Sequence, residues 1–492
     1  MAVYSIASDT ARERALGVNA GQAVKMIPAD RVQWLVAAIV LGFSALLIFL
    51  AIDGLTVPMR LTIAVFVATI VAWTILGLPE TPVALGGAVA LAAVGAIPEE
   101  GLYRSLGNDI VWLMLSAFVI AAVLRHAGVV EHVIVRLTNR LSSVNGLFWS
   151  LTAAISSTAF IIPSTSARAA ILMPVYAGLT AAIGNARVSR ALALLFPSVI
   201  LLSAGASLVG AGAHLVAVDF IGKSGAASPD FLGWAALAAP FSLICCLLAC
   251  GVLLRFFLTP EERRLALHHT DAQDRVQTPL SNRQRLVLAV VGIAVLLFAT
   301  QSLHGIGMPI VGLVAALVLT QQRISGLSLK TALKSVEWNL LLFLAGTLVI
   351  GEALIETGTA QLLAERMVGL FGDHLSKWTA AVIAFAAIIA TFSHLVITSR
   401  TARATVLIPA FSLPLAALGV NPVSLIMVVT LASGFCQTLL VSAKPVALFG
   451  AMEPPAFNQA DLLRLAGFLI LPFILLLVAF ATFVWPLQGV SP

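Results

Sequence analysis

Charged side chains are what this sequence has least of. Only 10% of its 492 residues are Asp, Glu, Lys or Arg, whereas 60% are hydrophobic and the mean hydropathy is +1.04. Soluble domains carry about a quarter charged residues. This scarcity excludes an ordinary soluble enzyme or binding domain and predicts a polytopic membrane protein.

Cysteine is also rare, and no recognisable metal-ligand spacing is present. The sequence contains no His-Glu-x-x-His motif and no recognisable pairing of an acid with a base, the patterns that would indicate an enzyme. We therefore expect a non-enzyme without a cofactor or a metal cluster. The four cysteines all lie in apolar tracts, where packing is their expected role: Cys245, Cys246, Cys250 and Cys436.

Long apolar runs supply most of the chain. A bilayer leaves no water to satisfy the backbone, so each run of roughly twenty residues is expected to be a helix. The fold class predicted is all-α. The runs are Val32–Ile52, Leu61–Leu78, Pro82–Ile97, Ile110–Gly128, Ala191–Val218, Leu232–Leu254, Leu286–Leu303, Met308–Leu319, Asn339–Ile355, Leu425–Ala451 and Leu465–Val484.

The distribution of Lys and Arg predicts the orientation. Residues 1–31 contain four basic side chains and no apolar core, which is not typical of a cleavable signal peptide. With this N-terminal segment in the cytoplasm, nineteen of the 28 basic residues fall on cytoplasmic segments and five on external ones. We expect a multi-pass protein of the inner (plasma) membrane with an external C-terminus. Topology explains most of the +6 net charge, so no nucleic-acid partner is expected.

The longest polar stretch divides the chain into two halves. Residues 259–285 are predicted to form a cytoplasmic linker between transmembrane halves at 32–258 and 286–492. Because each half contains a similar motif in a hairpin that opens from the opposite side, the halves are predicted to be inverted repeats of about five to six helices. Such repeats place re-entrant hairpins, broken helices and a substrate site near the bilayer midplane.

The motif that repeats is polar and contains arginine. Ser164–Ala169 and Ser399–Ala404 lie 235 positions apart, and each is followed by a proline, Pro174 or Pro409. An ionisable side chain inside an apolar tract is costly unless a partner, a cavity or a substrate replaces its hydration. We predict a duplicated anion site with hairpin tips near 164–168 and 399–403. Charge counting alone leaves two possibilities for each hairpin, re-entrant or fully spanning.

These motifs resemble the paired Ser-Asn-Thr motifs of the divalent anion:sodium symporter family, within the ion transporter superfamily. The resemblance covers roughly residues 30–486. It implies that each motif forms a hairpin tip, contacts the substrate carboxylate and helps to bind sodium together with a later broken helix. By resemblance the broken helices are at 203–214 and 433–445, and the protein is a homodimer.

The motifs also depart from the family pattern. Thr165 and Arg400 stand where the family has Asn, and arginines follow at 168 and 403. A guanidinium would repel sodium but offers a bidentate fork for an anion. The predicted substrate-binding residues are Ser164, Thr165, Ser166, Arg168, Ser399, Arg400, Thr401, Arg403, His214 and Lys444. The candidates for a cation site are Ser164, Ser166, Gly205, Gly210, Thr401 and Ser433.

The function predicted is secondary transport of a small anion, such as a dicarboxylate, tricarboxylate, sulfate or sulfonate. Fixed positive charge in an empty site favours anion exchange, and sodium-coupled symport is the other coupling mode. The alternative is an ion/proton antiporter of another branch of the same superfamily, which would need acidic residues in the site. Glu352 and Glu356, one helical turn apart, are candidates to neutralise an arginine or carry a proton.

Overall fold

The computed structural model describes residues 29–51, 54–130, 132, 143–162, 164–266, 279–375, 378–452 and 456–492. Within these ranges the regular structure is helical, and no β-strand is formed. The predicted all-α class is therefore confirmed. Most of the predicted N-terminal segment, the centre of the predicted linker and Pro163 lie outside the described residues.

The first half of the chain contributes helices of unequal length. A π-helical turn extends the first helix to Ala51. The helices are α1 (Ala29–Leu46), α2 (Val57–Thr74), α3 (Glu80–Ala93), α4 (Glu99–Leu106), α5 (Asp109–His126), α6 (Val144–Ser157), α7 (Thr165–Ile183), α8 (Ala186–Ala204), α9 (Gly212–Lys223) and α10 (Phe231–Phe256).

The rest of the chain begins with a short helix in the linker whose first turn is capped by Thr259. Its elements are α11 (Pro260–Arg264), α12 (Asn282–Ala299), α13 (Gln301–His304), α14 (Met308–Leu319), α15 (Leu329–Leu333), α16 (Trp338–Glu356), α17 (Thr359–Leu375), α18 (Thr379–Phe392), α19 (Arg400–Leu407), α20 (Leu413–Ala416), α21 (Pro422–Ala432), α22 (Lys444–Gly450) and α23 (Gln459–Ala479). A π-helical turn joins α19 to α20.

The outer surface of the bundle is apolar. Nine of the described helical stretches are long and apolar enough to cross a bilayer. Large aliphatic side chains such as Leu303 and Leu487 are more than four-fifths exposed. In water that exposure would be costly, whereas lipid tails provide an apolar environment. The protein is a multi-pass membrane protein.

Each motif follows a short helix and a sharp turn. The helices α6 and α18 have 14 residues each, or about 21 Å at 1.5 Å per residue, which is less than the roughly 30 Å of a hydrocarbon core. A 3₁₀ turn ends each of them, at Thr158–Phe160 and Ser393–Leu395. The first helix of each hairpin is therefore short for a full span, which favours the re-entrant alternative, whereas α7 has 19 residues and is among the nine candidate spans. The two hairpins are α6–α7 and α18–α20.

Two of the predicted spans are interrupted in the structure. The run Ala191–Val218 breaks between α8 and α9, and the run Leu425–Ala451 breaks between α21 and α22. In the first break, a Cβ atom on Gly210 would lie only 2.2 Å from the main-chain oxygen of Ala204. Only glycine permits this approach of backbone to backbone. The breaks suggested by the resemblance are present at both positions.

Helices of the two halves pack against each other in matching pairs. Helix α3 packs against α16, and α14 packs against α5; likewise α9 packs against the second hairpin and α22 against the first. Within each half, the first hairpin helix contacts both the broken helix and the last long helix. This reciprocal packing is what a duplicated architecture requires. The inversion of the halves relative to the membrane stays a prediction.

Close packing of α3 on α16 depends on Gly346. A Cβ atom at that position would lie 2.8–3.0 Å from main-chain atoms of Ala84 and Leu85. We expect Gly346→Ala to destabilise the protein by about 1–3 kcal/mol, because backbone cannot move aside as a flexible side chain can. Thermal unfolding in detergent measures the change.

Gly467→Ala is the matched control, since a Cβ atom in that part of α23 meets nothing within 4 Å. Alanine is the better helix former, so this variant should be neutral or slightly more stable. Equal melting temperatures for the two variants would show that α3 and α16 are not held together at Gly346.

Candidate functional site

A cavity of about 650 Å³ lies where the two hairpin tips meet the helix breaks. This volume is within the range of small-molecule sites. Residues from both halves line the cavity, including Glu80, Thr81, Ser164, Thr165, Ser166, Leu201, Ala211, Gly212, Glu337, Trp338, Asn339, Phe343, Thr398, Ser399, Arg400, Thr401, Arg403, Cys436, Val441, Ala443, Lys444 and Pro445.

Helix N-termini face this cavity. Ser164 caps α7 by accepting a hydrogen bond from the main-chain N–H of Ala167, and Ser399 caps α19 in the same way through Ala402. Helix α9 also begins at the cavity, at Gly212. The positive ends of three helix dipoles therefore point toward one space, an arrangement that favours an anion.

Two arginines of the second motif line the cavity, and both have buried nitrogens without a hydrogen-bond partner among the described residues. Arg403 is completely buried, and its described hydrogen bond runs from Nη2 to Sγ of Cys436 at 2.7 Å. Its Nε and Nη1 atoms are unpartnered, as are Nε and Nη1 of Arg400. Buried guanidinium N–H groups without acceptors are costly. A bound anion is the group that would satisfy them.

Arg168 occupies the equivalent position in the first motif but has different surroundings. Its Nε donates to Thr158 Oγ1 at 2.8 Å, Nη1 to the Ile200 carbonyl at 2.9 Å, and Nη2 to the Ile155 carbonyl and Ser203 Oγ at 2.7 Å each. It is fully buried and does not line the cavity. These contacts favour a structural role for Arg168 over the predicted role as an anion ligand, because all three guanidinium nitrogens already donate hydrogen bonds.

His214 is likewise separated from the cavity. The residue is fully buried, its Nδ1 contacts the Ser207 carbonyl at 2.8 Å, and its ring stacks on Trp234 with centroids 5.0 Å apart. It does not line the cavity. The structure therefore does not support direct substrate contact by His214, whereas Lys444, the last of the predicted ligands, does line the cavity.

The candidates for a cation site divide into two groups. Ser164, Ser166 and Thr401 line the cavity. Gly205 lies outside it, and its carbonyl accepts a hydrogen bond from Trp234 Nε1 at 3.0 Å. Gly210 and Ser433 also lie outside, in the two breaks, and the Ser433 hydroxyl donates to the Thr430 carbonyl. Their role in binding sodium stays a prediction.

Sequence reasoning missed two carboxylates. Glu80 and Glu337 both line the cavity, and Glu337 Oε1 accepts a hydrogen bond from the Ser164 hydroxyl at 2.7 Å. Each glutamate lies two residues before a predicted span, Pro82–Ile97 or Asn339–Ile355, where an acidic side chain looks like an ordinary flank at the level of the lipid headgroups. The pairing of Glu337 with a motif 173 residues away carries no local signal. Glu352 and Glu356, which the sequence did suggest, do not line the cavity.

Broken helices and paired hairpins that meet at a cavity lined by charged and hydroxyl side chains are typical of secondary transporters. The sodium:sulfate symporter transmembrane region matches residues 30–490. The chain therefore belongs to this family of transporters, and the resemblance to divalent anion:sodium symporters is confirmed.

Relatives agree with this assignment. A membrane protein of Cupriavidus necator is 26% identical over 79% of this chain and 80% of its own length. An uncharacterized transporter of Mycobacterium tuberculosis is 27% identical over 60% of this chain and 68% of its own. The crystal structure of the Alcanivorax borkumensis YdaH transporter aligns with a TM-score of 0.55, at 16% identity, over 88% of this chain and all of that one; it supports the fold.

Proposed function

We propose that the protein transports a small organic or inorganic anion, which binds in the cavity between the two hairpin tips. The observation that carries this proposal is the set of unpartnered guanidinium nitrogens on Arg400 and Arg403. The candidate substrates are dicarboxylates, tricarboxylates, sulfate and sulfonates. Hydroxyl groups at Ser166, Ser399 and Thr401, together with Lys444, complete the proposed cradle.

Anion exchange is the proposed mode of transport. Arg400 packs against Gly434, at the start of the second break, so closely that a Cβ atom there would lie 2.6 Å from Nη2. By resemblance this is where the second sodium would bind, and a guanidinium there supplies a permanent positive charge instead. Without an anion, the desolvated charges oppose movement of the empty site. With an anion they are neutralised.

An ion/proton antiporter is the competing function. The feature that would favour it is the presence of Glu80 and Glu337 in the cavity, since carboxylates bind cations and protons. Three cationic side chains, Arg400, Arg403 and Lys444, share the same lining. This excess of positive charge supports an anion as the transported species.

A ligand screen tests the proposal directly. Purified protein should be stabilised by at least one of succinate, citrate, sulfate and 1,2-ethanedisulfonate, by about 3 kcal/mol at a concentration two orders of magnitude above Kd. Melting temperature is measured with each anion in sodium and in choline buffers. Stabilisation by sodium alone, with no response to any anion, would contradict the proposed substrate class.

Proteoliposomes distinguish the coupling modes. For exchange, uptake of the stabilising anion requires the same anion inside the vesicle and proceeds without sodium. Vesicles with reversed internal and external buffers provide the control for leak. Strict dependence on sodium with no need for internal anion would replace exchange by symport.

A further inference from the structure

Glu337 connects the two halves at the cavity. It precedes α16 as the N-cap residue, yet its side chain does not cap that helix. Instead Oε1 accepts a hydrogen bond from the hydroxyl of Ser164, the residue that caps α7 at the first hairpin tip. The carboxylate is therefore held against the first hairpin tip rather than against its own helix.

Opposite charges share this cavity without pairing. The charged residues of the lining are Glu80, Glu337, Arg400, Arg403 and Lys444, and none of them forms an ion pair with another among the described residues. Three cations and two carboxylates leave the lining with a formal charge of +1. A monovalent anion would neutralise that charge, whereas a divalent anion would leave an excess of −1.

We propose that Glu337 takes up one proton when a divalent anion binds, so that the carrier is loaded with the dianion and a proton together. The proton comes from water, forms an O–H bond on the carboxylate and returns to water when the anion is released. This inference rests on the proposed function and specifies the charge of its loaded state, which becomes neutral.

Protonation also gives the Glu337 side chain a hydrogen-bond donor for the anion. A neutral carboxylic acid keeps an oxygen that accepts the Ser164 hydrogen bond and gains an O–H donor for the anion. The titratable and charged groups that face Glu337 across the cavity are Glu80 of α3, Arg400 and Arg403 of the second hairpin, Cys436 of the second break and Lys444 of α22.

The choice between the two acids follows from their contacts. Glu80 is in the first turn of α3, with no described side-chain hydrogen bond, whereas Glu337 contacts the hairpin tip. Other charged residues on helices that pack against α16 do not line the cavity, and His214 on α9 is enclosed beside Trp234. Glu337 is thus the acid through which protonation can act on the first hairpin.

The test uses anions that do not titrate near neutral pH. Sulfate and 1,2-ethanedisulfonate are divalent probes and methanesulfonate is a monovalent one; each is titrated into purified protein by thermal shift at about pH 6 and about pH 8. We expect affinity for the divalent probes to rise with falling pH, by up to about tenfold per unit for one coupled proton. Affinity for methanesulfonate should not change with pH.

Glu337→Gln mimics the protonated side chain. Glutamine keeps a carbonyl acceptor for Ser164 and supplies an N–H donor. This variant should bind the divalent probes equally well at both pH values, at the affinity that the wild type reaches in acid. Glu356→Gln, at the other end of the same helix and outside the cavity, is the matched control and should retain the pH dependence.

Several results would overturn the inference. The first is that the wild type binds the divalent probes equally well at both pH values. The second is that Glu337→Gln keeps the pH dependence. The third is that Glu80→Gln loses the pH dependence while Glu337→Gln keeps it. The inference would also be overturned if the protein bound methanesulfonate but none of the divalent probes. Absence of a response to every anion, including succinate and citrate, would instead contradict the proposed function.

Discussion

Replacement of Arg403 by methionine is expected to abolish the stabilisation of the purified protein by its anion. Arg403 is completely buried at the cavity with Nε and Nη1 unpartnered. Loss of two charge-assisted hydrogen bonds at about 1.5 kcal/mol each would weaken binding by about 100-fold or more. Thermal shift against a dilution series of the anion measures the loss.

The same variant should fold as well as the wild type. An unpaired buried guanidinium is a cost to the folded state, and methionine fills a similar volume without charge. We expect the unliganded free energy of unfolding to change by no more than about 1 kcal/mol. Arg403→Lys retains the charge but lacks the fork, so it should bind weakly rather than not at all. Unaltered anion affinity in Arg403→Met would remove this residue from the site.

Replacement of Arg168 by methionine should instead lower the stability of the protein and leave its anion affinity nearly unchanged. Arg168 is as deeply buried as Arg403 and stands at the same place in its motif, but its guanidinium makes four hydrogen bonds. Methionine would leave two carbonyls and two hydroxyls without their charged donor. We expect a loss of roughly 3–5 kcal/mol of stability, measured by thermal or denaturant unfolding.

The matched pair separates a binding arginine from a structural one. At a temperature low enough for Arg168→Met to fold, the folded variant should bind the anion with an affinity within a few-fold of the wild type. A stable Arg168→Met protein that no longer responds to the anion would reverse the assignment of the two arginines. Equal effects of both substitutions would mean that the motifs are functionally symmetric.

The hairpin tips illustrate what local sequence can predict. Ser164 and Ser399 precede helix-forming segments, and both serve as N-caps in the structure. Eight of the ten predicted substrate ligands, all except Arg168 and His214, line the cavity. Those residues were identified by their polarity within apolar tracts, a signal that depends only on the chain itself.

The two arginines illustrate what local sequence cannot predict. Each is preceded by a hydroxyl residue and alanine and followed by alanine, so nothing nearby distinguishes them. Thr158, ten residues earlier, accepts from Arg168, and its counterpart at the offset of 235 residues is Ser393. Both hydroxyls donate to the carbonyl three residues earlier, but no described hydrogen bond joins Ser393 to Arg403. Ser203 and the Ile200 carbonyl come from α8, on another element. The donors of Arg168 were satisfied by tertiary contacts.

The sequence by itself determined that this is a helical membrane protein with duplicated polar motifs, since hydrophobicity and helix breaks are properties of consecutive residues. Tertiary structure alone decided which charges remain available, because a buried guanidinium or carboxylate is free or satisfied according to neighbours that are distant along the chain. Packing joined Arg168 to α8, left Arg403 facing the cavity, and brought Glu337 to the opposite half.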